Sequence, residues 1–219
     1  MTQQTINVGA TPGDGTGDAA SVAFGKANAN FAELYGRLSG GTAWPVRKAT
    51  PKIAGDWGGT ALATLALTAA RQYFVPLVVP RAMPLTALKI SVTTASAGTA
   101  AIGVYANTQD ASGNDIPGAL LASVTGLDTS ATGDKSGTIA AGYTLQPGTL
   151  YWISAIASAA ATVRALAVGS VQTVLGRTVN NTTVISYLYA AGSGSALPNP
   201  APSSLSAGTG SCPALYLVE

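Results

Sequence analysis

The stretch "IGVYANTQDASGNDIPGALLAS", residues 102–123, decides the fold. Ile102 and Val104 share one face of an alternating run, and "ALLASVT" resumes an apolar run at residue 119. Between them lie Asp110, Ser112, Gly113, Asn114 and Asp115. Period-two spacing that ends in a Gly/Asp/Asn cluster predicts two strands joined by a turn. "DASGND" has a faint likeness to an oxygen-rich calcium loop, but it lacks the length and terminal Glu of an EF-hand loop. A hairpin turn accounts for it, because Asp and Asn side chains bond back to their own backbone.

The same grammar extends both ways. "ALATLAL" (61–67), "QYFVPLVVP" (72–80), "LTALKISV" (85–92), "TAAIGVYA" (99–106), "GTIAAGYTL" (137–145), "LYWISAIA" (150–157), "ATVRALAV" (161–168), "TTVISYLY" (182–189) and "PALYLVE" (213–219) are short, apolar and bounded by turn residues. Leu88, Ile90 and Val92 fall on one face. About ten such strands predict an antiparallel β-sandwich, jelly-roll-like, over residues 61–219. "FVPLVV" alternates poorly and fits a strand buried on both sides, or an edge strand carrying Pro76. The Pro/Ser-rich "AAGSGSALPNPAPSSLSAGTGS" (190–211) predicts a long loop, flexible at the surface or pinned by its neighbours.

One segment breaks the pattern. "DGTGDAASVAFGKANANFAELYGRL" (14–38) predicts a helix over about 18–38. Thr16 or Asp18 offers an N-cap oxygen, and "LSGGTAWP" supplies the stop, with Gly40 and Gly41 suited to a left-handed cap and Pro45 beyond. Ala20, Phe24, Ala27, Phe31, Leu34 and Leu38 recur at alternating steps of four and three. That is a seam of period 3.5, narrower than the stripe of a helix lying on a globular core. We read it as the oligomerisation seam of a short coiled coil rather than a face packed on the β domain. A helix this short is marginal alone, so the seam calls for partner copies or a docking socket. Residues 1–41 thus form an attachment and oligomerisation segment, 42–60 a Pro/Gly-rich linker, and 61–219 the sandwich.

Composition narrows the function. The 219-residue chain is 47% hydrophobic but only 9% charged, against about 25% for ordinary soluble domains. A surface of Thr, Ser, Ala and Gly suits a protein that lives in an assembly. The net charge is +2, and the densest basic cluster, Arg47, Lys48 and Lys52, is too small for a nucleic-acid footprint. "MTQQTINVGATPG" lacks the basic and apolar regions of a secretory leader. "YWISAIASAAATVRALAV" carries Arg164 among Ser and Thr and makes a poor membrane span. No nucleic acid and no membrane are therefore expected as partners.

Chemistry is scarce. There is no histidine, which removes the usual catalytic base and the commonest metal ligand. The one cysteine, Cys212, reads as a small buried apolar residue and implies folding in a reducing cytoplasm. The Asp residues lie in turn contexts, and "GDGTGD" lacks the Lys of a phosphate loop while its two Asp would repel phosphate. No enzymatic activity, metal or cofactor is expected. Aromatic rings could stack on sugars: Trp44, Trp57, Trp152, Tyr143, Tyr187 and Tyr189 are the pool. Tyr151 and Trp152 alternate in one strand, so one of the two belongs to the core. Trp57, Tyr187 and Tyr189 are the possible glycan contacts.

The N-terminal block "INVGATPGDGTGDAASVAFGKANANFAELYGRL" (6–38) resembles a segment at the start of many tailed-bacteriophage virion proteins, among them tail fibres, tailspikes and head fibres. The shared residues are Ile6 to Gly9, Asp14 to Asp18, Ala23, Phe24, Lys26, Asn28, Asn30, Phe31 and Glu33 to Tyr35. The remainder, through "IGVYANTQDASGNDIPGALLAS" and "LQPGTLYWISAIAS", is similar to jelly-roll modules of phage structural proteins and carbohydrate-binding appendages. The resemblance implies a non-enzymatic virion component made in the bacterial cytoplasm. It would be a homotrimer attached to tail, baseplate or capsid proteins through its N-terminus. A tail-side fibre that touches host surface glycan, a capsid decoration or head-fibre protein, and a carbohydrate-binding module all remain open at this point.

Overall fold

The computed structural model describes residues 4–11, 14–40, 52–53, 62–79, 81–167 and 185–219, with backbone alone for 35–40 and 52–53. Trp44, Trp57 and most of the expected linker lie outside the described residues. The chain is mainly β, with two antiparallel sheets preceded by one helix, α1 (Ala20–Gly40). The helix has the expected length but is shifted two residues toward the C-terminus.

Thirteen strands follow among the described residues. They are β1 (Lys52–Ile53), β2 (Leu62–Ala66), β3 (Arg71–Val78), β4 (Met83–Thr94), β5 (Thr99–Gln109), β6 (Asp115–Asp128), β7 (Gly133–Leu145), β8 (Leu150–Ala157), β9 (Thr162–Leu166), β10 (Ile185–Ala191), β11 (Ser206–Thr209), β12 (Cys212–Pro213) and β13 (Leu215–Val218). The ten expected segments overlap, in order, β2 to β10 and β13. The pairs β1, β12 and the four-residue β11 are additions too short to leave a period. β1 falls within the expected linker and pairs with β13.

One sheet runs β11-β10-β3-β8-β5-β6. In the other, β4 carries β7 along one edge and β13 then β9 along the other, with β2 beyond β9. The main core fills the space between the sheets. Tyr73, Val75 and Leu77 of β3, Ile102 and Val104 of β5, and Tyr151 and Ile153 of β8 face Leu88, Ile90 and Val92 of β4 and Leu215 and Leu217 of β13. The alternation expected at Leu88/Ile90/Val92 and Ile102/Val104 is therefore the core-facing register.

A second apolar layer lies on the opposite face of the six-stranded sheet. Phe74, Tyr105 and Trp152 form it, covered by Leu197, Ala201 and Leu205 of the 190–211 loop. This explains the runs that do not alternate: β3 and β8 are buried on both faces. Both Tyr151 and Trp152 are core residues, one in each layer. Pro76 sits in an inner strand, not at an edge, but past Phe74, where the described pairing of β10 with β3 ends. A strand proline there deprives that edge of no described ladder bond.

The long loop is pinned. Tyr105 Oη donates to the Pro198 carbonyl at 2.9 Å, Leu120 N to Asn199 Oδ1 at 3.0 Å, and Ala201 N to the Gly118 carbonyl at 2.8 Å. Beneath it the buried Gln72 Nε2 donates to Tyr105 Oη and Ser154 Oγ at 3.0 and 2.9 Å. Burial pushes the Tyr105 phenol up to about 12, so it stays a donor.

Candidate assembly interface

The "INVG" and "DGTGD" segments build one clasp against α1. Asp14 organises the turn: Oδ2 accepts from Ala10 N and Thr11 N at 2.8 Å each, and Oδ1 from Thr16 N at 2.9 Å. The Thr16 and Thr11 amides hold its carboxyl far below the usual carboxylate range. Gly9 meets the turn's geometry with φ +79°, and a Cβ on Gly17 would stand 3.1 Å from Gly9 N. Glycine at both places lets the two backbones approach.

Asp18 was expected as a helix cap, as was Thr16; neither fills that role. The Ala19 carbonyl opens the helix, accepting from Val22 N and Ala23 N at 2.9 Å each. The Asp18 carboxylate is engaged elsewhere, accepting from Asn7 N at 2.9 Å and Lys26 Nζ at 2.7 Å. Lys26 first, then the Asn7 amide, lowers its pKa. The Asn7 carbonyl accepts from Asp18 N at 2.8 Å, and Asn7 Nδ2 donates to the Thr16 carbonyl at 2.7 Å.

The chain before this turn forms a strap along the helix. Asn30 exchanges two bonds with the Gln4 backbone, and Lys26 Nζ also donates to the Thr5 carbonyl at 3.1 Å. Gln4 lies level with Asn30, Thr5 with Lys26 and Asn7 with Asp18, so the strap runs antiparallel to α1. Lys26 and Asn30 share one face because they stand four residues apart. Sequence reasoning missed the clasp. The signal was present in the spacing of Asp18, Lys26 and Asn30, three bonding groups that fall away from the apolar seam.

The seam residues stay at the surface of the chain. Phe24 is 71% exposed, Phe31 56% and Leu34 50%; Ala20 is exposed and Ala27 half-buried. The Leu38 side chain lies outside the described residues. Of the eight exposed large apolar side chains described, six (Ile6, Val8, Val22, Phe24, Phe31 and Leu34) belong to residues 6–34. The sandwich contributes only Leu62 and Val78.

The glycan candidates fare differently. Trp57 lies outside the described residues. Tyr187 is 7% exposed, its ring 5.4 Å from that of Tyr73 and folded over Gly208, its register partner. A ring so covered offers no face to a sugar. Tyr189 is half-buried, and the Arg71 guanidinium stands 4.5 Å from its ring centroid. Asp110 bonds back into its own turn, accepting from Ser112 N at 2.8 Å and from Asn114 N at 2.9 Å, as a hairpin requires. Cys212 is buried in the core, its thiol pushed up to about 12 by burial. Among the described residues no group of three His, Cys, Asp or Glu side chains is arranged to hold a metal ion. No described helix is long and apolar enough to cross a membrane. No protein-family model matches the chain, and no curated protein matches it significantly.

Proposed function

We propose that this protein is a non-enzymatic structural component of a tailed-bacteriophage particle. It self-associates through the α1 seam as a homotrimer, and its N-terminal unit docks on other virion proteins. We place it on the tail side, as a fibre or receptor-binding appendage. The observation that carries the assembly reading is the concentration of exposed apolar side chains on the clasp and helix, whereas among the described residues of the sandwich only Leu62 and Val78 are large, apolar and exposed. Apolar surface gathered on one small unit marks an interaction site. The phage assignment rests on the resemblance of residues 6–38.

The test is immunogold electron microscopy of intact phage with antibody to residues 61–219, run beside a Phe31→Asp variant. Label at the tail is the expected result. Label over the icosahedral shell would move the protein to a decoration or head-fibre role. A charge placed in the seam should abolish the trimer with the sandwich still folded. An unchanged oligomer in Phe31→Asp would show that the sandwich, not the helix, brings the copies together.

A further inference from the structure

The six-stranded sheet carries a cation with no anion beside it. Arg71 opens β3, and its guanidinium lies 4.5 Å from the centre of the Tyr189 ring. The two side chains share a face of the sheet, because Tyr189 pairs with Tyr73, two positions along β3 from Arg71. Of the described arginine side chains, Arg81 pairs with Glu219 and Arg164 stands exposed. Arg71 is half-buried, yet no described carboxylate or hydrogen-bond acceptor meets its guanidinium. β3, β10 and β11 contain no acidic residue at all.

Contact with the ring meets only part of this cation's needs. It offsets the burial of charge, but a ring does not accept the guanidinium's N–H groups as oxygens would. The polar groups next to it are open as well. The Tyr189 hydroxyl has no hydrogen-bond partner among the described residues, and the exposed Ser206 is the register partner of Tyr189 on β11. A ligand that satisfies this set brings a planar pair of acceptor oxygens for the arginine fork and hydroxyls for the phenol and the serine. An inorganic anion or a bare carboxylate lacks the second, and a neutral sugar lacks the first. We propose that Arg71, Tyr189 and Ser206 form a binding site for an acidic sugar, with the Arg71 fork on its carboxylate. Tyr189 then acts by holding Arg71 and through its hydroxyl, not as a stacking platform. Naming the host surface as the source of the sugar rests on the tail-side reading above; the site itself rests on this geometry.

Saturation-transfer NMR on the full-length protein tests this, with glucuronate, glucose and acetate as separate probes. Glucuronate should receive saturation, and glucose and acetate little at the same concentration. Arg71→Lys keeps the charge and loses the fork, so glucuronate affinity should fall about tenfold or more. Tyr189→Phe keeps the ring under the guanidinium and loses the hydroxyl, and the fall should be about two- to tenfold. Tyr189→Phe carries the comparison if Arg71→Lys loses the strand signature in circular dichroism. Acetate bound as well as glucuronate would reduce the site to a plain anion contact and overturn the sugar assignment. Glucuronate bound equally by wild type and both variants would place it elsewhere, and no response to glucuronate overturns the site outright. None of these outcomes moves the gold label between tail and shell, so the tail-side reading stands or falls separately.

Discussion

Asn30 and Gln4 stand 26 residues apart and exchange two hydrogen bonds: Gln4 N donates to Asn30 Oδ1 at 3.1 Å, and Asn30 Nδ2 donates to the Gln4 carbonyl at 2.9 Å. A side-chain amide here does what a neighbouring strand would do, offering one donor and one acceptor to the same residue's backbone. No other residue type of this length presents both groups at once without a charge.

Asn30→Ala should therefore release the strap. Exchange of the Gln4 amide should rise toward the unprotected rate, and protease cleavage before Asn7 should accelerate. The thermal midpoint of the sandwich should stay within about 1 °C, because a surface change outside its core costs little there. Asn30→Asp keeps the acceptor and loses the donor, so it should fall between Asn30→Ala and wild type.

Acid should open the same clasp. The folded-state carboxyls of Asp14 and Asp18 lie below their ordinary values. Each therefore contributes stability that is present above the unfolded value of about 3.9 and is lost as pH falls through the folded value. The strap should stay protected from hydrogen exchange at pH 5 and open progressively below about pH 4. Asp14→Asn should shift the onset upward.

In the second layer, Tyr105→Phe removes the donor to the Pro198 carbonyl and one acceptor of Gln72 Nε2. Leaving these buried groups short of partners should cost about 1–3 kcal/mol in denaturant unfolding. Amides of Leu120 and Ala201 should exchange faster than in wild type, since both tie the 190–211 loop to β6 and the same contact holds that loop. A loss confined to global stability, with those amides unchanged, would show that Tyr105 does not hold the loop.

Arg81 and Glu219 form an ion pair in which the Glu219 side chain is almost fully buried. Removing the cation leaves a buried carboxylate with no compensating charge, so Arg81→Ala should destabilise by about 3–5 kcal/mol. The double variant Arg81→Ala/Glu219→Gln should recover part of that in chemical denaturation.

The strands were legible where burial was one-sided or the run was long. Leu88, Ile90 and Val92 show their face because the opposite face of β4 is wetter. β3 and β8 gave away their existence but not their second packing layer, since continuous burial leaves no period to read. The loop that covers them carries only Leu197, Ala201 and Leu205 to mark it, spaced by prolines and serines. At the N-terminus the apolar seam was visible from spacing alone. The clasp was not, because Asp18 has two uses for one carboxylate: local rules favour a cap, while Lys26 and the Asn7 amide draw it elsewhere. Tyr187 was misplaced for a related reason, as its burial depends on Gly208, 21 residues away, which leaves the room its ring occupies.

The described bonds of the clasp close between residues 4 and 30, and among the described residues no sandwich side chain takes part in them. Such a unit is portable. A different domain can be spliced after the helix without altering one of those bonds, and the sandwich can drift in sequence without disturbing them. Recombination between unrelated chains would then conserve the clasp while exchanging the domain that follows it.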